Sequence, residues 1–310
     1  MPAPLTAVVT GGNSGLGFET VRHLVAGGAF SDVVMAARDG ARASAAVDRL
    51  PAGPGRLHVA PLNLASLDSV RAFPAALEAL GVPALGALVC NAGVQIVGGT
   101  RLTADGVEET FAVNVLGHFL LTRLVLGHMV PDGRVVFISS GTHDPARRTG
   151  MPEPRYPGGA ELAAGRGLAD DDTGKLGRRR YTTSKLCDVY LAYEFAKRYP
   201  MGEPFGSSLV VSVMDPGLMA GSGLARNYGS LSRFAWHHVL PHLSRFVKGA
   251  MTPAASGLDV ARLAGAPEFG RATGQYYVGT RPASSSVLSY DQFNAVDLWS
   301  TCAALAGIDP

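Results

Sequence analysis

Apolar residues in this chain fall in short unbroken runs separated by stretches of helical periodicity. The runs at 7–9, 32–37, 57–62, 87–90, 134–138, 209–214 and 275–278 are too short for helices and hold few polar positions. Runs of this kind predict buried strands. Between them, three- and four-residue spacing predicts helices over 18–26, 41–50, 67–80, 103–129, 181–199, 256–263 and 292–305. Such alternation predicts an α/β fold, a single doubly wound parallel sheet with helices on both faces. Residues 1–310 read as one domain.

Two stretches break the pattern. Residues 141–180 are rich in Pro, Gly and charge and read as an irregular surface insertion, with Arg178-Arg179-Arg180 as a solvated face. Residues 218–252 mix Phe234, Trp236, Phe246 and Val247 with His237, His238 and His242. An apolar helical lid over a substrate is expected there. The histidines have no carboxylate or cysteine at ligand spacing, so no metal site is expected.

Bulk properties narrow the partners. With 310 residues, 47% of them hydrophobic, the chain can bury a large core. Net charge is +2, from 27 basic and 25 acidic residues, which gives no strong field for nucleic acid or an acidic membrane. Cys90, Cys187 and Cys302 lie far apart, as expected of reduced thiols in a cytoplasmic protein. The first strand follows the N-terminus almost at once, so no signal peptide is expected. No apolar run approaches the ~20 residues that span a bilayer, so no membrane span is expected.

The chemistry-bearing residues gather where strands end. After the first strand comes Thr10-Gly11-Gly12-Asn13-Ser14-Gly15-Leu16-Gly17. Its glycines permit a tight turn and close backbone approach, and the helix that follows offers free amides to a diphosphate. Arg38 ends the second strand. There a carboxylate would take a ribose hydroxyl, whereas a guanidinium fork suits a 2′-phosphate, which selects NADP(H), with Ser14 as a second contact. Asn63-Leu64, Asn91-Ala92-Gly93, Ser139-Ser140 and Asp215-Pro216-Gly217 close later strands. Asn114 falls within a helix, where a partly exposed side chain is expected. Tyr181 opens the next helix, and Lys185 lies one turn on. An ammonium beside a phenol favours the phenolate, so the Tyr181 pKa is expected below its usual ~10.

Taken together, these motifs resemble the short-chain dehydrogenase/reductase family, whose fold is of the Rossmann type. Thr10–Gly17, Asn91-Ala-Gly93, Asn114, Ser140, Tyr181-x-x-x-Lys185 and Pro216-Gly217 occur in family order. Ala36-Ala37-Arg38-Asp39, Gly141-Thr142-His143-Asp144-Pro145, the insertion before Tyr181 and Asp297-Leu298-Trp299 are similar to the branch of retinol dehydrogenases and light-dependent protochlorophyllide reductases. The resemblance implies Tyr181 as general acid and Ser140 as the serine bonded to the substrate oxygen. It implies Lys185 as ribose ligand and Asn114 as holder of a relay water. Gly11, Asn13, Ser14, Gly15, Leu16, Gly17, Arg38, Asn63, Leu64, Asn91, Ala92, Gly93, Tyr181, Lys185, Pro216 and Gly217 would contact the cofactor.

Three positions depart from the family. Asn63 stands where an aspartate usually faces the adenine. Leu218 stands where protochlorophyllide reductases carry a cysteine, which argues against that photochemistry. The threonine that often follows Pro-Gly has no clear match, and Ser222 is the available stand-in. The expected activity is NADP(H)-dependent interconversion of a carbonyl and an alcohol on a bulky apolar small molecule. Reduction of an activated C=C bond and non-catalytic NADP(H) sensing are the alternatives. Monomer and homodimer both remain open, because relatives pair through the helices at 103–129 and 181–199, which the insertion could cover.

Overall fold

The computed structural model describes residues 4–168, 172–203, 208–217 and 251–310. The expected lid at 218–252 lies outside them apart from its last two residues, as do Leu218, Ser222 and the three histidines.

Eight described strands form one sheet in the order β3-β2-β1-β4-β5-β6-β7-β8. They are β1 (Thr6–Thr10), β2 (Asp32–Ala37), β3 (Arg56–Pro61), β4 (Leu85–Cys90), β5 (Met129–Ile138), β6 (Leu209–Asp215), β7 (Gln275–Val278) and β8 (Arg281–Pro282). All neighbours are parallel except β7 and β8. The chain leaves β1 toward β2 and β3 and later returns to set β4 on the other side of β1. Connections therefore diverge between β1 and β4, the place where such sheets open a crevice at their carboxyl ends.

The sheet is covered on both faces. Successive β1 residues alternate between two cores, Val8 joining one while Ala7 and Val9 join the other. On the second face, α1 (Gly15–Gly27) packs on the late helix Pro253–Gly265. A Cβ on Gly257 would stand 2.5 Å from Glu19 Cβ, so only glycine lets these helices approach so closely. On the first face lie α6 (Gly117–Val125), α8 (Thr173–Arg198) and the C-terminal helix Gln292–Ala306. Trp299 is wedged edge-on against Phe119 at 4.9 Å and Phe195 at 4.8 Å, which ties the three together.

Several boundaries differ from expectation, each for a local reason. The helix expected over 67–80 is two, Leu67–Arg71 and Phe73–Leu80, because Pro74 has no N–H to continue the ladder. The helix expected from 103 begins at Glu109, where the Glu108 carboxylate accepts from the Phe111 amide. It then widens into a π turn over Ala112–Leu116. The run Glu109–His128 is, by length and composition, apolar enough to cross a bilayer, contrary to the expectation based on unbroken apolar runs. Of its most apolar window, 78% is buried inside the protein, as in a core helix.

The insertion is not a wholly irregular loop. It holds short 3-10 turns at Gly141–His143 and Pro145–Arg147 and a helix at Gly159–Ala163. Helix α8 then starts at Thr173, with Asp172 capping the Gly174 and Lys175 amides. Tyr181 consequently sits in the third turn of α8 rather than opening it. The arginine triplet also becomes helical, and Arg179 and Arg180 are buried rather than solvated. Arg180 donates to Thr100 Oγ1 at 2.6 Å and to the Gly165 carbonyl at 3.0 Å.

Candidate active site

The crevice begins at the glycine turn. Gly11 and Gly15 hold positive φ values of 64° and 56°, a region costly for residues with a Cβ. At Gly17 a Cβ would collide with the Gly11 carbonyl oxygen and Asn91 Nδ2. Asn91 Nδ2 donates to the Thr10 carbonyl at 2.7 Å, and Thr10 Oγ1 accepts from the Asn91 and Ala92 amides at 2.9 and 3.0 Å. The turns after β1 and β4 are thus one unit. Leu16 is buried in the core, whereas Asn13 and Ser14 line the crevice side.

Beside Asn13 and Ser14 opens a cleft of about 210 Å3, lined also by Arg42, Ala45 and Arg49. Arg38 is exposed at the end of β2 but does not line this cleft. Sequence reasoning missed Arg42 and Arg49. The available signal was Asp39, whose side chain caps the helix Gly40–Val47 and pairs with Arg42 at 3.2 Å. Arg49 stacks on Phe18, 4.5 Å from the ring centre. The cleft suits an anion, and the glycine turn suits a diphosphate.

Asn63 uses its side chain locally, accepting from the Ala65 amide at 3.2 Å, while Leu64 is buried. At β6, the Asp215 carboxylate accepts from the Gly217 amide at 3.0 Å and from Arg147 Nη1 at 2.7 Å. The Pro216 carbonyl accepts from Ser256 Oγ at 2.9 Å. Pro216 and Gly217 therefore form a fixed turn at the sheet's carboxyl edge.

Helix α8 supplies the central face. Tyr181, Ser184, Lys185 and Asp188 follow i, i+3, i+4, i+7 spacing and are all buried. Lys185 Nζ lies 5.7 Å from the Tyr181 ring centre. It donates to the Ile138 carbonyl at 2.9 Å and to Asp188 Oδ2 at 2.8 Å. A Cβ on Gly93 would reach Nζ at 3.8 Å, so the Asn91–Gly93 turn passes directly over the ammonium. Burial works against the charged amine, but Asp188 and then Tyr181 outweigh it and hold Lys185 protonated.

The two serines after β5 divide their tasks. Ser139 Oγ is buried and donates to the Lys185 carbonyl at 2.8 Å. Ser140 Oγ accepts from the Thr142 amide at 3.3 Å, and its hydroxyl is among the groups that act on the Tyr181 pKa, pulling it down. His143, fully buried, donates from Nδ1 to the Ser140 carbonyl at 2.7 Å, and its Nε2 accepts from the Ser286 amide at 3.1 Å. Both bonds require the neutral ring, and burial indeed holds the His143 pKa below its ordinary value.

Two expectations are corrected here. Asn114 is fully buried rather than partly exposed, and its side chain is hydrogen-bonded within the protein. Oδ1 accepts from the Val94 amide at 2.8 Å, while Nδ2 donates to the Val94 carbonyl at 3.0 Å and Ser184 Oγ at 2.9 Å. It clamps the β4 turn onto α8. The Tyr181 pKa lies above its ordinary value, not below it. Burial is the largest cause, Lys185 pulls the pKa down, and Asp188 and Asp215 push it back up.

With this geometry in place, relatives can be compared. The chain matches the short chain dehydrogenase family over residues 5–150. It is 33% identical over 321 residues to protochlorophyllide reductase of Avena sativa, covering 97% of this chain and 99% of that one. It is 34% identical over 313 residues to polyprenol dehydrogenase of Danio rerio, covering 97% and 86%. A short-chain dehydrogenase of Burkholderia cenocepacia, solved with NADP, superposes with a TM-score of 0.62 at 22% identity, covering 89% of this chain and 97% of that one. The chain belongs to the short-chain dehydrogenase/reductase family and is an oxidoreductase of that family.

Proposed function

We propose that this protein is an NADP(H)-dependent carbonyl reductase or alcohol dehydrogenase acting on a bulky apolar small molecule. The observation that carries the reading is the gathering of Ser140, Tyr181 and Lys185, with a neutral buried phenol acted on by the serine hydroxyl and backed by an ammonium 5.7 Å from its ring centre. NADP(H) is supported by the cleft lined by Arg42 and Arg49 beside the glycine turn, and by structural neighbours solved with NADP or NADPH. The zebrafish relative's name denotes dehydrogenation of a long apolar alcohol, which supports the substrate class.

When bound, the reduced nicotinamide would supply hydride to the carbonyl carbon. The remaining steps belong to the chain. Tyr181 would pass its phenol proton to the oxygen as negative charge develops there. Ser140, whose acceptor side is engaged by Thr142, would donate its own hydrogen to the same oxygen. Lys185 would then stabilise the phenolate until it is reprotonated, and the reverse sequence would oxidise an alcohol.

A second reading, reduction of a C=C bond, is favoured by the 33% identity with the oat protochlorophyllide reductase across nearly the whole of both chains. The same Tyr181 could protonate a carbon. Leu218, in place of the cysteine of those enzymes, weighs against it. The two readings separate on a panel of long-chain aldehydes, ketones and activated alkenes followed by NADPH oxidation. Turnover of aldehydes or ketones that is lost in Tyr181→Phe supports the first reading, whereas turnover confined to alkenes overturns it.

A further inference from the structure

We propose that Asp188 is a positioning residue of this site, holding the Lys185 ammonium and offsetting its charge at Tyr181 so that the phenol is kept as a proton donor. The inference rests on the catalytic reading of Tyr181 and Lys185 given above. Its geometry is direct. Asp188 Oδ2 is 2.8 Å from Lys185 Nζ, with the two side chains 3% and 6% exposed. Asp188 Oδ1 is buried without a hydrogen-bond partner, so Lys185 is the cation that accounts for this carboxylate.

Packing alone does not explain an aspartate here. A buried ion pair loses most of its attraction to desolvation, and an apolar pair of similar volume often serves stability as well or better. What the carboxylate does supply is a charge placed one turn beyond the lysine on the Tyr181 face of α8. An unopposed ammonium beside Tyr181 would favour the phenolate, which cannot give a proton to a nascent alkoxide. With Asp188 ionised, the pair is close to neutral as seen from the phenol.

The other groups facing this cluster are neutral or paired elsewhere. From β4, the Cys90 thiol is pushed above its ordinary range by burial and stays neutral. Cys187, on α8 itself, is raised in the same way. From α6, His118 is held down to about 3 by burial and is neutral as well. From β6, Asp215 is paired with Arg147 at 2.7 Å. Burial also lifts Asp188, to about 6, with Lys185 pulling it back, and the 2.8 Å contact with the ammonium favours the ionised carboxylate.

The test reads Tyr181 without any substrate. Ultraviolet titration of tyrosinate, taken as wild type minus Tyr181→Phe, isolates this one phenol in the full-length protein. The midpoint should lie above the ordinary ~10. In Asp188→Asn, referenced to Asp188→Asn with Tyr181→Phe, it should fall by about one pH unit or more, because a like charge has been removed from the phenolate. An unchanged or higher midpoint in a folded Asp188→Asn protein overturns the proposal. Should that variant fail to fold, Asp188→Ser takes its place, and a wild-type midpoint below 10 overturns the proposal by itself. Absence of turnover on every carbonyl would count against carbonyl reduction and leave this titration as the judge of Asp188.

Discussion

Thr10 Oγ1 lies 2.9 Å from His118 Nε2, joining the end of the first strand to the helix that follows Asn114. The direction of this bond follows from its neighbours. His118 Nδ1 faces the Asn114 carbonyl at 3.2 Å, and a carbonyl can only accept, so Nδ1 carries the proton. Nε2 of the neutral ring therefore accepts from Thr10, while Thr10 accepts from the amides of Asn91 and Ala92. One imidazole thus links the glycine turn, the β4 turn and the π turn carrying Asn114.

This arrangement has an acid-stability consequence. Burial lowers the His118 pKa to about 3, against 6.5 for the ordinary group. Between those values the unfolded chain binds one more proton than the folded one, so stability rises with pH through that window and is lost as pH falls through it. His118→Gln should flatten the slope of unfolding free energy between pH 4 and 6 by up to about 1.4 kcal/mol per pH unit. Denaturant midpoints across that range check this. An unaltered slope would mean that His118 is charged in the folded protein.

Arg42 is expected to carry more of the cofactor preference than its exposure suggests. Losing a charge-assisted bond to a phosphate costs about 1.5–3 kcal/mol, so Arg42→Ala should weaken NADPH binding by roughly 10- to 100-fold. NADH affinity should barely move. Isothermal titration with both cofactors, with Arg38→Asp alongside, shows which arginine matters. Unchanged NADPH affinity in both variants would remove the 2′-phosphate assignment.

Trp299 should be among the costliest side chains to truncate. Its ring is 1% exposed and joins Phe119 to Phe195 across the first face of the sheet. Trp299→Ala should destabilise the fold by about 3–5 kcal/mol, measured by chemical denaturation. A loss below 1 kcal/mol would show that the C-terminal helix is not part of the cooperative core.

The same helix bears on assembly. It lies across α6 and α8, with Asp297 tied to Tyr156 Oη at 2.7 Å and to the Gly159 amide at 2.8 Å. The C-terminal helix thereby covers α6 and α8 from within the chain, and light scattering should show a monomer. A stable dimer or tetramer would require another surface.

The strand ends were legible because buried parallel strands write themselves as unbroken apolar runs. Gly15 and Asn91 fall at those ends, whereas the choice of Ser140 over Ser139 rested on the family resemblance and that of Lys185 on its spacing from Tyr181. The start of α8 was not legible. Gly174 and Gly177 are poor helix formers and the arginines look solvated, yet Gly177 is needed where the Ile96 carbonyl presses on the helix. Asp188 was hidden for the opposite reason, since an aspartate three residues after a lysine is ordinary on any helix. Only the fold shows that both are buried. Neither the place of Tyr181 within its helix nor the direction of its pKa was legible, because spacing reveals the lysine and not the earlier cap, the burial or the carboxylates that outweigh it.

The most direct test of the account follows the hydride. The purified protein, given NADPH deuterated at the transferring position and a long-chain aldehyde or ketone, should place deuterium on the carbon that bears the new hydroxyl. Tyr181→Phe should lose nearly all of that transfer while still binding NADPH. Deuterium found instead on a former alkene carbon, with carbonyls left untouched, would contradict the account and assign the site to C=C reduction.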